Sequence, residues 1–235
     1  MKQDILDRLL AARAAKRAIV LATDLDGGAQ ALIDPGNGEA EGAGDLALDD
    51  AIREAAATAA RADKGRTVDA GDRRVFVQPF NPPLRLIVVG AVHIAQPLVA
   101  MAQLAGYDVT VVDPRRAFAT DERFPDVTVS TEWPDEALEA LKPDARTAVV
   151  TLTHDPKLDD PALDVALRSQ AFYVAALGSK KTHAKRIERL KEQGHDDATI
   201  ARIHGPAGLA LGAVSPAEVA ISVMAQMTAV LRGSS

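Results

Sequence analysis

Five short apolar runs, each followed by a stretch of helical periodicity, organise the second half of this chain. The runs are LRLIVVG (84–90), YDVTVVD (107–113), VTVS (127–130), RTAVVTLTH (146–154) and AFYVAALG (171–178). Strands that alternate with helices form parallel sheets with right-handed crossovers, and such strands are apolar throughout because helices cover both faces. Only 3% of the residues are aromatic, which agrees with a core built from small aliphatic side chains. The pattern predicts an α/β fold.

The first 80 residues have a different organisation, which predicts a small α+β region. In chain order its features are a strand at Ala18–Thr23, a strand at QALID (30–34), an Ala-rich helix at 46–63 and a hairpin strand at RRVFVQPF (73–80). The segment NPP (81–83) follows, and proline cannot donate to a sheet ladder. We therefore expect a small N-terminal α+β domain at 1–80 and a larger domain at 84–235.

Charge and composition argue against several functions. The formal net charge is −6, whereas nucleic-acid binding requires clustered Lys and Arg. No apolar run approaches the roughly 20 residues that span a bilayer, and the first 20 residues are charged throughout, unlike a signal peptide. We expect a cytoplasmic protein that binds neither nucleic acid nor membranes. The 235 residues contain no cysteine, so this sequence carries no thiol nucleophile, thiolate metal ligand or persulfide.

Polar and glycine residues follow the predicted strands, where ligands bind to open parallel sheets. After the first strand come Gly90, Ala91, Val92 and His93; after the second, Asp113 and Arg115; after the fourth, Thr151, Thr153, His154 and Asp155; after the fifth, Gly178, Ser179 and Lys180. Because the carboxyl ends of parallel strands share one edge of the sheet, we expect these residues to converge on one cleft.

The loop after the first strand resembles a dinucleotide-binding fingerprint with one departure. Gly90 suits the tight turn and Ala95 suits close helix packing, but Val92 stands where a glycine would let the backbone approach a pyrophosphate. Asp113 follows the second strand, where a carboxylate would hydrogen-bond a ribose hydroxyl. Nucleotide binding and a purely structural turn both fit this loop.

The loop after the fifth strand, LGSKKTHAKR, favours anion binding. Gly178 and Ser179 precede a predicted helix whose N-terminal N–H groups attract negative charge, and Lys180, Lys181 and Lys185 add cations. A phosphate group would suit this loop. The alternative is a capped helix with an ordinary solvated basic face.

His154 and Asp155 could form a proton relay or hold a polar head group, or Asp155 could cap the turn before Pro156. The remaining histidines lack metal-ligand spacing, and neither a catalytic triad nor a nucleophile elbow is visible. We therefore predict no catalytic residue and no metal site. Near the end of the chain, Ser215, Pro216 and Glu218 match a helix-capping box.

Five stretches together resemble the XdhC/CoxI family of molybdoenzyme maturation factors. They are VVGAVHIAQPL, VTVVDPRRAFATDERFPD, VVTLTHDPKLDDPAL, FYVAALGSKKTHAKRIERL and RIHGPAGLALGAVSPAEVAISVMAQ, and they cover about residues 84 to 231. The resemblance implies a Rossmann-like domain preceded by a smaller N-terminal domain. It also implies binding of molybdenum cofactor, as the molybdopterin mononucleotide or its dinucleotide form, and assistance in its sulfuration and insertion into a xanthine dehydrogenase or CO dehydrogenase type hydroxylase.

The partners that the resemblance implies are an apo-molybdenum hydroxylase and, because this sequence has no thiol, a cysteine desulfurase-type sulfurase. Two alternatives remain open at this point. An NAD(P)-dependent oxidoreductase would use the same cleft, and a docking protein would bind no small molecule. The apolar face of AEVAISVMAQMTAVL (217–231) fits either a homodimer contact or the core.

The chain departs from the usual family pattern at several positions of its second half, four of which change the chemistry of the side chain. Val92 and Ala175 stand where glycines are usual, Ala210 replaces an aspartate, and Gln226 replaces a glutamate. In the N-terminal half, GEAEGAGDLALDDA (38–51) replaces a glycine-rich, cysteine-bearing segment. The two missing carboxylates leave no acid or base role for those positions.

Overall fold

A computed structural model describes residues 2–120 and 122–233 of the chain. The chain divides into two compact units, residues 1–82 and 83–235. Of the helices in the described ranges, none is long and apolar enough to cross a lipid bilayer.

The first unit is a five-stranded antiparallel sheet with one helix on each face. Its elements are α1 (Gln3–Ala14), β1 (Ile19–Asp24), β2 (Gln30–Ile33), β3 (Ala40–Gly44), α2 (Asp50–Ala62), β4 (Arg66–Ala70) and β5 (Arg73–Phe80), and the strand order is β3-β2-β1-β5-β4. Successive side chains of β1 point to opposite faces. Ile19 and Leu21 pack in the cluster with α1, whereas Val20 and Ala22 pack in the cluster with α2.

The second unit is a six-stranded parallel sheet. Its elements are β6 (Arg85–Val89), α3 (Ala95–Leu104), β7 (Asp108–Val112), β8 (Thr128–Ser130), α4 (Pro134–Leu141), β9 (Thr147–Thr151), α5 (Pro156–Arg168), β10 (Tyr173–Ala176), α6 (Lys180–Glu192), α7 (Asp197–Ile200), β11 (Ile203–His204) and α8 (Pro216–Arg232). The strand order is β11-β10-β9-β6-β7-β8, and all neighbouring strands are parallel. Within this sheet the order is the doubly wound 3-2-1-4-5-6 of Rossmann folds.

The α/β prediction, with a Rossmann-like sheet after a small α+β region, is therefore confirmed. Helices cover both faces of the parallel sheet, with α3 and α8 on one side and α4 to α7 on the other. The central strands are buried, so their side chains are apolar on both faces. Two strands were not predicted. β11 has two residues, and β3 (AEGAG) consists of residues with low strand preference.

The predicted capping box opens α8. Ser215 Oγ accepts from the Glu218 N–H at 3.2 Å, a Glu218 carboxylate oxygen accepts from the Ser215 N–H at 2.9 Å, and Pro216 occupies the first turn. Val223 and Met227 of this helix are fully buried in the cluster that contains α3. Part of the apolar face that fitted either a homodimer contact or the core thus lies in the core, whereas Ile221 on the same helix is exposed.

Candidate functional site

The first and fourth strands of the parallel sheet, β6 and β9, are neighbours, and the chain leaves them toward opposite sides of the sheet. Ligands of doubly wound sheets bind at this switch point. Gly90, directly after β6, has φ of +108°, and a Cβ atom there would lie 2.6 Å from Thr153 Cγ2 and 3.2 Å from the Thr153 backbone nitrogen. A glycine is required because the two loops approach each other this closely.

The loops after β9 and β10 also meet. Gly178 has φ of +146°, and a Cβ atom there would lie 3.2 Å from Thr182 and 3.8 Å from Nδ1 of His154. The structure therefore brings together Gly90, Thr153, His154 and Gly178 from three strand ends. Thr151 lies within β9 and is fully buried.

Asp113, after β7, supports the loop after β6. Its carboxylate accepts from the Ala91 N–H at 2.8 Å, from the Arg115 N–H at 3.0 Å, and from Nε and Nη2 of Arg115 at 2.9 and 2.7 Å. Burial by itself raises the pKa of Asp113, but the hydrogen bonds from Arg115 and Ala91 outweigh it and hold the pKa below its ordinary value. The Asp113 side chain is fully buried, so the expectation that it faces a ribose hydroxyl does not fit this geometry.

The remaining groups of the loop after β6 are placed as follows. The Ala91 carbonyl accepts a hydrogen bond from Nη1 of Arg123 at 2.8 Å. The backbone N–H and the carbonyl of Ala91 are thus both hydrogen-bonded within the protein. Val92 is half-buried and packs against the core cluster, whereas His93 is exposed. The valine thus belongs to the packing of α3 against the sheet, which accounts for a branched side chain at that position.

Asp155 is the N-cap of α5. Its side chain accepts from the Lys157 N–H at 3.0 Å, and Pro156 follows in the first turn, so the capping alternative describes its contacts. Its own N–H donates to Thr153 Oγ1 at 3.0 Å, and that hydroxyl donates to Asp159 at 2.7 Å. His154, which lies between Thr153 and Asp155 in the chain, has φ of +61°. This conformation is sparsely populated by residues other than glycine.

Ser179 is the N-cap of α6. Its Oγ accepts from the Thr182 N–H at 3.1 Å and lies 2.9 Å from Thr182 Oγ1. Lys180 is exposed at the first helical position. The serine hydroxyl is therefore engaged in capping the helix.

A pocket of about 270 Å³ lies between the N-terminal parts of α5 and α6. It is lined by His154, Pro156, Asp159, Lys181, Thr182, Lys185, Arg186 and Arg189. Four of these side chains are cationic and one is a carboxylate. Lys181, Lys185 and Arg189 follow one another at intervals of four residues, which places them along one face of α6. Lys180 is not among the lining residues.

Arg186 is 1% exposed, which is rare for an arginine. Its Nη2 donates to the Leu177 carbonyl at 3.0 Å and to Asp159 Oδ2 at 3.5 Å. Burial lowers the pKa of Arg186 despite the opposing effect of Asp159, and burial raises the pKa of Asp159 despite its bonds to Thr153 and the charge of Arg186. Both shifts have the same physical cause, because desolvation disfavours each charged form.

Sequence reasoning missed Arg186 and Arg189 because it followed the cations of this helix only as far as Lys185. The interval of four in KKTHAKRIERL was the signal that could have identified Lys181, Lys185 and Arg189 as one cationic face. The burial of Arg186 had no such signal, because it depends on how α5 packs against α6.

Gln226, one of the departures from the family pattern, joins α8 to the glycine-rich loop before it. Its Oε1 accepts from Tyr173 Oη at 2.6 Å and from the Gly208 N–H at 2.9 Å. The Tyr173 ring stacks on His204 with centroids 4.8 Å apart. An amide oxygen thus makes the contacts that a carboxylate could also make, and it needs no buried charge.

A doubly wound parallel sheet with a pocket at the carboxyl edge of its strands defines a Rossmann-like protein, and four of the side chains that line this pocket are cationic. The sequence model of the XdhC Rossmann domain matches residues 86–227, which is more than half of the chain. The protein belongs to the XdhC family.

Three curated relatives match over about two thirds of this chain. They are the uncharacterized protein YqeB of Escherichia coli K12 (32% identity over 161 residues, 67% of this chain and 29% of YqeB), a probable xanthine dehydrogenase subunit of Bacillus subtilis 168 (31% over 154 residues, 65% and 44%), and the molybdenum cofactor insertion chaperone PaoD of Escherichia coli K12 (30% over 155 residues, 66% and 42%). The chain thus spans less than half the length of these relatives.

A solved structure supports the fold. The crystal structure of a Bacillus halodurans protein described as a xanthine dehydrogenase aligns with a TM-score of 0.75 and 22% identity, over 98% of this chain and 67% of that one. At this identity the likeness concerns the fold alone.

Proposed function

We propose that this protein is an accessory factor that binds molybdenum cofactor and assists its sulfuration and insertion into a hydroxylase of the xanthine dehydrogenase or CO dehydrogenase type. One observation carries the proposal: the loops after β6, β9 and β10 meet at the switch point beside a pocket with four cationic side chains. The relative PaoD, which is 30% identical to this chain over 155 residues, is named as a molybdenum cofactor insertion chaperone.

The residues present fit the phosphate-bearing end of such a cofactor. Phosphate oxygens form their strongest hydrogen bonds with cationic donors, and α6 supplies Lys181, Lys185 and Arg186 around one pocket. The pterin part would lie over the strand ends, beside Gly90, Thr153 and Gly178, where glycines keep the surface open. Molybdenum cofactor is the cargo in this proposal, and the protein holds and shields it.

The contacts of Asp113 favour this function over an NAD(P)-dependent oxidoreductase using the same cleft. A dinucleotide enzyme would use an exposed carboxylate after the second strand to bind the ribose. Here both oxygens of Asp113 accept hydrogen bonds from Ala91 and Arg115, and the side chain is buried.

In this proposal the sulfur of the terminal sulfido ligand comes from a partner. The 235 residues contain no cysteine and therefore cannot carry a persulfide. A cysteine desulfurase-type sulfurase would deliver the sulfur while this chain holds the cofactor, and an apo-molybdenum hydroxylase would receive it.

Anaerobic titration calorimetry with purified molybdenum cofactor, NAD and NADP tests the binding step. We expect saturable binding of the cofactor and no saturable binding of either nicotinamide nucleotide at the same concentrations. Saturable NAD or NADP binding without cofactor binding would replace this proposal by the oxidoreductase alternative.

Reconstitution of an apo-hydroxylase tests the delivery step. We expect a mixture of cofactor, a cysteine desulfurase and this protein to restore more hydroxylase activity than the same mixture without this protein. Stimulation by a preparation that binds no cofactor would instead indicate a docking protein.

A further inference from the structure

We infer that the pocket between α5 and α6 is an oxyanion site for a phosphate or pyrophosphate group. In this site the buried guanidinium of Arg186 would donate hydrogen bonds to the phosphate oxygens. This inference deepens the proposed function and rests on it for the identity of the molecule that carries the phosphate. It places the phosphate-binding centre on the face of α6, whereas the sequence pattern favoured Gly178, Ser179 and Lys180.

The hydrogen-bonding of Arg186 carries the inference. Its side chain is 2% exposed and lines the pocket, yet Nε and Nη1 have no hydrogen-bond partner among the residues that the structure describes. A buried donor without an acceptor is costly, and a buried charge that lacks full compensation is more so. Nε and Nη1 are therefore two N–H donors that are available to separate oxygen atoms of an anionic ligand, while Nη2 stays bonded to the protein.

The nearest carboxylates leave this charge incompletely compensated. Asp159 Oδ1 is engaged by Thr153, and Asp159 Oδ2 lies 3.5 Å from Arg186 Nη2, at the outer limit of a hydrogen bond. Asp160 forms its ion pair with Arg189 instead. Neither oxygen of Asp159 therefore accepts a hydrogen bond from Nε or Nη1 of Arg186.

The surroundings of Arg186 suit an anion. Lys181 and Lys185 are exposed side chains on the pocket wall, so their flexible stems can bring ammonium groups to a ligand without a change in the backbone. The pocket adjoins the first turns of α6, a 13-residue helix whose N-terminal dipole adds positive potential. Three independent sources of positive potential therefore act on the same small volume.

The size of the pocket limits the chemical class of its occupant. Its volume of about 270 Å³ lies just below the range of roughly 300–1,000 Å³ that is typical of sites for whole small molecules. One or two phosphate groups fit such a volume, whereas the whole molybdenum cofactor, with its pterin, dithiolene and phosphate parts, does not. The site therefore takes the charged end of a larger ligand.

Binding of inorganic pyrophosphate to the full chain, followed by ³¹P NMR and calorimetry at fixed ionic strength, tests the site. We expect saturable binding that K185Q weakens at least tenfold, whereas K180Q, the matched control on the same helix but outside the pocket, changes it less than twofold. Equal effects of the two variants, or the absence of saturable binding, would overturn the inference.

Two further variants test the pocket, one at Arg186 and one at the two lysines beside it. R186K keeps a positive charge but loses the Nε and Nη1 donors of the guanidinium, so we expect weaker pyrophosphate binding and a changed ³¹P shift of the bound ligand. If R186K fails to fold, the double variant K181Q/K185Q, altered only at exposed side chains, tests the pocket instead, and it should abolish binding. Unchanged pyrophosphate affinity in a folded R186K, or in the double variant, would contradict the assignment.

The same variants separate this inference from the proposed function. If molybdenum cofactor binds and K185Q weakens the binding of neither pyrophosphate nor the cofactor, the oxyanion site is wrong and the proposed function stands. If pyrophosphate binds in the pocket but the cofactor does not bind, the site stands and the proposed function is wrong.

Discussion

The backbone N–H of Ala91 donates a 2.8 Å hydrogen bond to Asp113 Oδ2, which ties the loop after β6 to the end of β7. The same carboxylate also accepts three hydrogen bonds from Arg115. Asp113 therefore sets the conformation of the loop at the switch point of the sheet, and it does so through its charge and both of its oxygens.

Asp113→Asn should lower the free energy of unfolding by about 1–3 kcal/mol, because the amide group must point its NH₂ at two donors. Urea unfolding followed by circular dichroism measures this loss. Glu139→Gln, a change of the same chemistry at an exposed position on α4, should have little effect. Equal stabilities of the two variants would show that the Asp113 contacts contribute nothing to folding.

The contribution of Asp113 to the free energy of unfolding should depend on pH. Hydrogen bonds hold the folded-state pKa below its ordinary value, so the stability that the carboxylate adds is present above the unfolded-state pKa and is lost as the pH falls through the folded-state pKa. The difference in unfolding free energy between the wild type and Asp113→Asn should therefore shrink below about pH 4. Unfolding curves from pH 7 to pH 3 measure it, and a constant difference over that range would contradict the expectation.

Gly90→Ala should destabilise the protein more than Gly106→Ala. Both glycines have positive φ, so both substitutions carry backbone strain of about 1–2 kcal/mol. Only at position 90 would the new Cβ also meet a neighbour, Thr153 Cγ2 at 2.6 Å, whereas nothing lies within 4 Å of it at position 106.

Thr153→Ser removes the methyl group that the new Cβ would meet. We therefore expect it to restore part of the thermal stability lost in Gly90→Ala and none of that lost in Gly106→Ala. Equal thermal midpoints of the two glycine variants would show that the loops after β6 and β9 do not approach each other as described.

Gln226→Leu should cost about 1–3 kcal/mol, because it leaves the Tyr173 hydroxyl and the Gly208 N–H without their shared acceptor. Gln226→Glu keeps an acceptor and should cost less. A double-mutant cycle with Tyr173→Phe in urea unfolding measures the coupling, since the second substitution should cost less when position 226 is already leucine. Strictly additive losses would show that the hydrogen bond is energetically unimportant.

Ser215→Ala should destabilise α8 by about 1 kcal/mol, because the Glu218 N–H loses its acceptor at the helix N-terminus. Thr228→Ala is the control on the same helix, since that hydroxyl donates only to the Met224 carbonyl one turn earlier. Hydrogen exchange at the start of α8 should accelerate in the first variant alone. Similar exchange in both would argue against the capping box as the stabilising feature.

Local patterns in the sequence were sufficient to predict most of the fold. The five apolar runs became β6 to β10, and the capping box opened α8 at Ser215 as predicted. These features depend on neighbouring residues only, because strand burial and helix capping follow from periodicity and from single side chains near the backbone. The two-residue β11 has no such pattern, since its strand pairing depends on β10 lying beside it.

The candidate site was predictable only in part. The convergence of Gly90, Thr153, His154 and Gly178 follows from the geometry of any parallel sheet, and the sequence showed those residues directly after strands. The cationic face of α6 was visible as a spacing, but its association with α5 was not. Asp113 was expected to face a ligand, whereas its contacts are with Ala91 and Arg115.

The sequence by itself determined most of the order of strands and helices, the glycines at the strand ends, the absence of a thiol among these 235 residues and the family to which the chain belongs. Only the tertiary structure decided which charged groups are buried and which partners they have. The burial of Arg186 beside Asp159 brings together residues 27 positions apart on two helices. Such an interaction is set by helix packing, because desolvation and hydrogen-bond geometry depend on distances in space and not on separation along the chain.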